Sequence, residues 1–147
     1  YLVLGLMDPL QKELRDEEFI ASILAMKEAG IEMMSTFTLG HDEDPPEIEP
    51  LIFEFCQRIR ANLAEFTLHT PFPGTPVFAE QAQAGRLLTR EWAKFNGANV
   101  VFRPRRMTPE ALQEKYLSLW RAFYGKMSEF EVNKRYAIGF SRGIFKG

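Results

Sequence analysis

Apolar positions along the chain switch repeatedly between two spacings, one suited to a strand and one to a helix. Tyr1-Leu2-Val3-Leu4 opens an apolar run that closes near Gly5, which predicts a short buried strand over residues 1–6. After the turn dipeptide Asp8-Pro9, helical spacing of Phe19, Ile20, Ile23, Leu24 and Met26 predicts a helix over residues 17–29, with Asp16 as N-cap and Gly30 as stop. Residues 31–39 supply a second strand, ended by Gly40 and the acidic run His41-Asp42-Glu43-Asp44. Pro45-Pro46 opens the next helix, whose stripe is Ile48, Leu51, Ile52, Phe55 and Ile59. A third strand over residues 65–70 runs into Pro71 and a short helix over residues 76–84. Thr89 begins a turn carrying Trp92 and Phe95, Asn96-Gly97 is a turn dipeptide, and residues 99–102 read as a fourth strand stopped by Arg103-Pro104. Thr108-Pro109 starts the longest helix, with Leu112, Tyr116, Leu119, Trp120 and Phe123 as its buried stripe. Residues 128–147 are basic and aromatic, and read equally as an amphipathic helix or an arm on a neighbour.

This alternation predicts an α/β fold with a parallel sheet, wound right-handed. About four βα units make half of a (β/α)₈ barrel, so the expected architecture is a partial (β/α) barrel fragment over residues 1–104 and a helical C-terminal extension over residues 105–147. Such a fragment exposes a sheet edge, through which a homodimer can form.

The stretch Thr70-Pro71-Phe72-Pro73-Gly74-Thr75-Pro76 stands out within this pattern. Three prolines fix their own φ and push Thr70, Phe72 and Thr75 away from helix, so the backbone is set in advance. With a strand before it and Thr75-Pro76 as cap and first helical residue after it, the segment is a strand-to-helix turn. In parallel α/β folds such turns lie at the ligand-binding ends of the strands; the alternative is a rigid structural corner.

Composition agrees with one globular domain: 147 residues, 46% hydrophobic and 26% charged, with a net charge of −2. The charge is divided, since residues 1–84 hold 15 acidic and 5 basic side chains and residues 85–147 hold 5 acidic and 13 basic. The two halves are expected to attract one another; the basic half can also face an anionic partner, but its Lys and Arg form no dense block, and nucleic acid is not the expected partner. No apolar run reaches the length of a membrane span, and no signal peptide is visible. One cysteine excludes an internal disulfide and any cysteine-only metal site, which fits the cytoplasm. The opening on Tyr1 inside an apolar run, without an initiator methionine, is expected of a piece of a longer protein.

Candidate chemistry is sparse. His41 and His69 lie far apart in sequence with no cysteine near either, so no metal-ligand spacing exists. His41, among Asp42, Glu43 and Asp44, joins either a divalent-metal or polar-ligand site at a strand end or an acidic surface loop, and the loop is the favoured reading. His69 is either an acid-base group or a hydrogen-bonded core histidine, and no partner is assigned to it by sequence. Cys56, beside a helical stripe, reads as a small core residue, and no catalytic residue is singled out.

The segments Ala29-Gly30-Ile31, Phe37-Thr38-Leu39-Gly40-His41-Asp42-Glu43-Asp44, Thr70 to Pro76, Gly85-Arg86-Leu87-Leu88 and Trp92 together resemble the carboxyl-terminal half of radical S-adenosylmethionine enzymes. The group with an amino-terminal cobalamin-binding domain is the most similar. Val100-Val101-Phe102-Arg103-Pro104, Met107-Thr108-Pro109-Glu110 and the helix ending Trp120-Arg121-Ala122-Phe123-Tyr124 resemble the uncharacterised extension of that group. The resemblance implies a partial barrel that carries a [4Fe–4S] cluster and cleaves S-adenosylmethionine reductively, with cobalamin as a further candidate cofactor, in methylation or cyclisation of an apolar or tetrapyrrole-like substrate. It implies that Phe37, Leu39 and Gly40 lie along the S-adenosylmethionine side and that His41, Asp42, His69, Thr70, Pro73, Gly74 and Thr75 lie on the substrate side. Two departures stand against full transfer. The CxxxCxxC cluster loop is absent, and Gly5-Leu6-Met7-Asp8 stands where family members often carry a Gly-x-Glu-Ser segment. The chain alone is therefore expected to be inactive, to hold no cofactor tightly and to need the rest of its parent. A docking or lid module with a basic surface and a barrel-completing scaffold are the other two readings.

Overall fold

A computed structural model describes residues 2–6 and 16–125. Strands β1 (Leu2–Leu6), β2 (Met33–Leu39) and β3 (Ala64–Leu68) form one parallel sheet in the order β1-β2-β3. Leu4 lies opposite Ser35 and Phe37 opposite Phe66. Helices α1 (Glu17–Glu28) and α2 (Ile48–Arg58) form the two crossovers. Helix α3 (Pro76–Gln83), a 3₁₀ turn at Trp92–Lys94 and helix α4 (Pro109–Tyr124) follow. The helix starts fall where capping chemistry puts them: the Asp16 carboxylate accepts from the amides of Glu18 at 3.0 Å and Phe19 at 3.1 Å. Thr75 and Thr108 cap α3 and α4 in the same way, each ahead of a proline.

All the long helices share one core. Met33, Phe37 and Leu39 of β2 and Ala64, Phe66 and Leu68 of β3 point to the same side, where they meet Ile20 and Ile23 of α1, Ile52 and Phe55 of α2, and Leu112 and Leu119 of α4. Strand alternation sends Thr36, Thr38 and Thr67 to the opposite face, where the Thr38 and Thr67 hydroxyls lie 3.0 Å apart. That face is polar and only half-buried. The aromatic stripe of α4 is core: Trp120 and Phe123 set their edges against Phe66, at ring-centre distances of 5.5 and 5.8 Å. Cys56 is also core, and burial pushes its thiol up to about 12.

The fourth strand expected over residues 99–102 does not form. Leu87 and Phe102 make a single antiparallel bridge, supported by Leu88 N–H to Val101 O at 2.9 Å and Arg103 N–H to Arg86 O at 2.8 Å. The Val100 amide is taken by the Gln113 side chain of α4 at 3.1 Å, so the segment cannot offer a ladder to β3. The outer edge of β3 is met by other groups. The Tyr124 hydroxyl accepts from the Ala64 amide at 2.9 Å and donates to the Ala64 carbonyl at 2.6 Å, and the Gly97 carbonyl accepts from the Leu68 amide at 2.7 Å. The expected sheet of four strands is thus a sheet of three. The expected arm or helix over residues 128–147 lies outside the described residues, as does the Asp8-Pro9 turn.

Candidate functional site

The carboxyl ends of β2 and β3 are tied together by the His69 amide, which donates to the Leu39 carbonyl at 2.7 Å. Immediately beyond, Gly40 turns with φ +99°, and a Cβ there would lie 2.8 Å from Leu112 Cδ2. Gly40 is therefore required both by backbone conformation and by the close approach of α4. Asp44, 3% exposed, then closes the loop from within: one carboxylate oxygen accepts from the amides of Gly40 at 2.7 Å and His41 at 3.0 Å. This is the turn chemistry for which aspartate is favoured, and it explains why the acidic run is not simply a solvated surface loop.

The closed loop brings His41 against His69, with ring centres 4.8 Å apart, and the edge of Phe102 meets His69 at 5.5 Å. His41 Nε2 is buried and has no hydrogen-bond partner among the described residues. Asp42 is held by Arg86, whose Nη1 reaches Oδ2 at 2.7 Å and whose Nη2 pairs with Oδ1. Arg105 Nε adds a contact to Oδ2 at 2.9 Å. The hydrogen bond from Arg86 holds the Asp42 carboxyl below its ordinary range, helped by the charges of Arg86, Arg105 and His69 and opposed by burial. A carboxyl depressed in the folded state stabilises the fold above the unfolded value of 3.8, and that contribution is lost as pH falls through the folded value. The midpoint of urea unfolding is accordingly expected to drop as the pH is lowered below 3.8, and the drop is expected to be smaller in Asp42→Asn.

The remaining sequence-predicted residues fall into two groups. Phe37 and Leu39 are fully buried, so only their backbone is available to a ligand. Thr70 donates its hydroxyl to the Leu68 carbonyl at 2.9 Å. Pro73, Gly74 and Thr75 are exposed on the turn, where Gly74 takes φ +85° and Thr75 accepts from the Phe78 amide at 3.2 Å as the α3 cap. The structure thus gathers Gly40, His41, Asp42 and His69, and gives Thr75 a structural task. Two clefts of about 380 and 300 Å³ lie away from this cluster, the first beside Gly85 and Arg90 and the second between Phe53 and Phe123. Among the described residues no group of three or more His, Cys, Asp or Glu could hold a metal ion.

Sequence reasoning left out Asp44, Arg86, Arg105 and Phe102 as site residues. For the two arginines the uneven charge was a signal of the kind of contact, though not of the partner: Arg86 and Arg105 pair with Asp42, Arg106 with Glu43 at 3.4 Å and Lys115 with Glu49 at 4.0 Å, all joining the basic part of the chain to the acidic part. No helix among the described residues is long and apolar enough to cross a membrane.

No protein-family model matches the chain. It is 29% identical over 122 residues to a bacteriochlorophyllide d C-12(1)-methyltransferase of Chlorobaculum tepidum, covering 83% of this chain and 26% of that protein. It is 25% identical over 120 residues to an uncharacterized methyltransferase of Pyrococcus horikoshii, covering 81% of this chain and 26% of the relative. It is 24% identical over 147 residues to an anaerobic magnesium-protoporphyrin IX monomethyl ester cyclase of Cereibacter sphaeroides, covering 95% of this chain and 24% of the relative. The chain therefore spans about a quarter of the length of these curated relatives, and at low identity it is similar to methyltransferases and to a cyclase.

Proposed function

We propose that the chain is a carboxyl-terminal part of a cytoplasmic radical S-adenosylmethionine enzyme, of the kind with a cobalamin-binding domain, that methylates or cyclises a tetrapyrrole-like substrate. The observation that carries this reading is that similarity to a bacteriochlorophyllide methyltransferase and a protoporphyrin ester cyclase extends over most of the chain. Three parallel strands in sequential order with their helices on one face suit a partial (β/α) barrel, an arrangement shared with one half of a doubly wound sheet. In that architecture the polar face of Thr36, Thr38 and Thr67 lines the interior, and the outer edge of β1 accepts the rest of the barrel.

The residues present do not fit an iron–sulfur cluster. Cys56 is the sole cysteine; it is buried, and its thiol is far from ionisation. Cluster chemistry therefore belongs to the parent protein, and this chain contributes the strand-end face. There the backbone of Phe37, Leu39 and Gly40 offers packing to the S-adenosylmethionine side, and His41, Asp42 and His69 offer polar groups to the substrate side. The competing reading, a basic docking module for an anionic partner, is weakened by the pairing of Arg86, Arg105 and Arg106 within the chain.

The coding sequence upstream of Tyr1 is the test. A CxxxCxxC run on the order of 100 residues earlier is expected, about the span of the missing barrel half. That longer protein, reconstituted anaerobically with iron, sulfide and a reductant, is expected to release 5′-deoxyadenosine from S-adenosylmethionine, and the 147-residue chain is expected to release none. Absence of the cysteine motif, or a stoichiometric cluster on the short chain, overturns the reading.

A further inference from the structure

Arg86 lies where two routes to the histidine pair meet. Through its fork it grips Asp42, the residue next to His41, and through its face it lies over Phe102, with the guanidinium carbon 5.7 Å from the ring centre. Phe102 in turn sets its edge against His69, and His69 packs on His41. The third donor of Arg86, Nε, reaches the Arg103 carbonyl at 2.9 Å, which fixes the guanidinium relative to the Leu87–Phe102 bridge. Three donors aimed in one plane are a task for arginine that lysine cannot copy. The Arg86 and Asp42 side chains are 16% and 25% exposed, so the pair is shielded from salt to a degree that the Arg105 contact, with Arg105 69% exposed, is not.

We propose that Arg86 and Asp42 are positioning residues for the His41–His69 pair: their ion pair locks the β2–α2 loop to the segment after α3 and sets the charge that the His69 imidazole faces. For any use in catalysis this rests on the substrate-side reading above; the contact itself stands on the geometry. Asp44 is turned inward onto the Gly40 and His41 amides, and Arg106 is paired with Glu43. Asp42 is in electrostatic contact with His69, and Arg86 and Arg105 are cations that offset its charge.

The full chain contains two histidines, so its imidazole proton signals can be followed individually by NMR as pH is varied. Asp42→Asn removes a charge that favours the imidazolium, and the His69 signals are expected to titrate at a lower pH than in the parent chain. Arg86→Gln leaves Asp42 less neutralised, and the same signals are expected to titrate at a higher pH. A merely structural role would loosen the loop in both variants and move both titrations in the same direction. Opposite displacements support the assignment; displacements of one sign, or none, overturn it. Should Arg86→Gln fail to give a dispersed spectrum, Arg86→Lys is compared through the cross-relaxation between the His41 and His69 rings. Loss of that contact supports the clamp, and its retention overturns it. None of these measurements needs a cluster or S-adenosylmethionine, so a longer protein without 5′-deoxyadenosine release would sink the proposed function and leave this assignment standing.

Discussion

Phe66→Ala is expected to destabilise the fold by about 3–5 kcal/mol, a large share of the roughly 5–15 kcal/mol that holds an ordinary domain together. Phe66 is 1% exposed on the central part of β3 and sits in the core that the sheet shares with the helices. Its ring stacks on Phe37 of β2 at 5.7 Å and receives the edges of Trp120 and Phe123 from α4. Truncation removes the aromatic surface on which α4 sits, and the surrounding side chains relax only partially into the gap. The loss should appear as a lowered urea midpoint with the slope little changed, and thermal unfolding should fall by roughly 6–20 °C. A change below about 1 kcal/mol would mean that α4 is not docked as described.

The second large effect is expected at Gly40. Gly40→Ala combines a backbone at φ +99° with a Cβ driven to 2.8 Å from Leu112 Cδ2, so both strain and overpacking act. Together they are expected to cost roughly 2–4 kcal/mol. Gly74→Ala is the matched comparison, because Gly74 has φ +85° and nothing within 4 Å of a Cβ. It carries the strain alone, about 1–2 kcal/mol. The difference between the two unfolding free energies therefore isolates the contact between the β2 end and α4. Equal losses would show that Leu112 moves aside at no cost.

The elements that could be read from sequence were those whose signal is local. Asp16, Thr75 and Thr108 cap helices by bonds to amides two or three residues on, and each does so in the structure. The period-two burial of β2 and β3 likewise follows from the chain itself. Residues 99–102 had strand chemistry but not a strand's partner, because Gln113 and the Arg86–Leu88 segment took its hydrogen bonds. Nothing in the segment announces that competition. The site shows the same division. That Gly40, His41, Asp42 and His69 come together was legible because turn residues follow strands, and adjacent strand ends of a parallel sheet share one side. Arg86 was not, because its role depends on a ladder of distant contacts through Asp42 and Phe102. Asp44 could be distinguished from Asp42 and Glu43 only after the loop had folded.

The hydroxyl of Tyr124 on Ala64 has a consequence for the order of events during synthesis. The two residues are 60 positions apart, so the edge of β3 leaves the ribosome well before the group that covers it. At about 5–20 residues per second the interval is roughly 3–12 seconds, long compared with the microseconds in which a hairpin forms. For that time the nascent sheet offers Ala64 N–H and C=O to any extended segment nearby. Tyr124 ends the exposure because one phenol both donates and accepts, satisfying the N–H and the C=O of Ala64 without supplying another edge. The last turn of α4 thus acts late, as a chain terminator for the sheet: until it docks, a ribosome paused before residue 124 holds a template, and afterwards it holds a finished boundary.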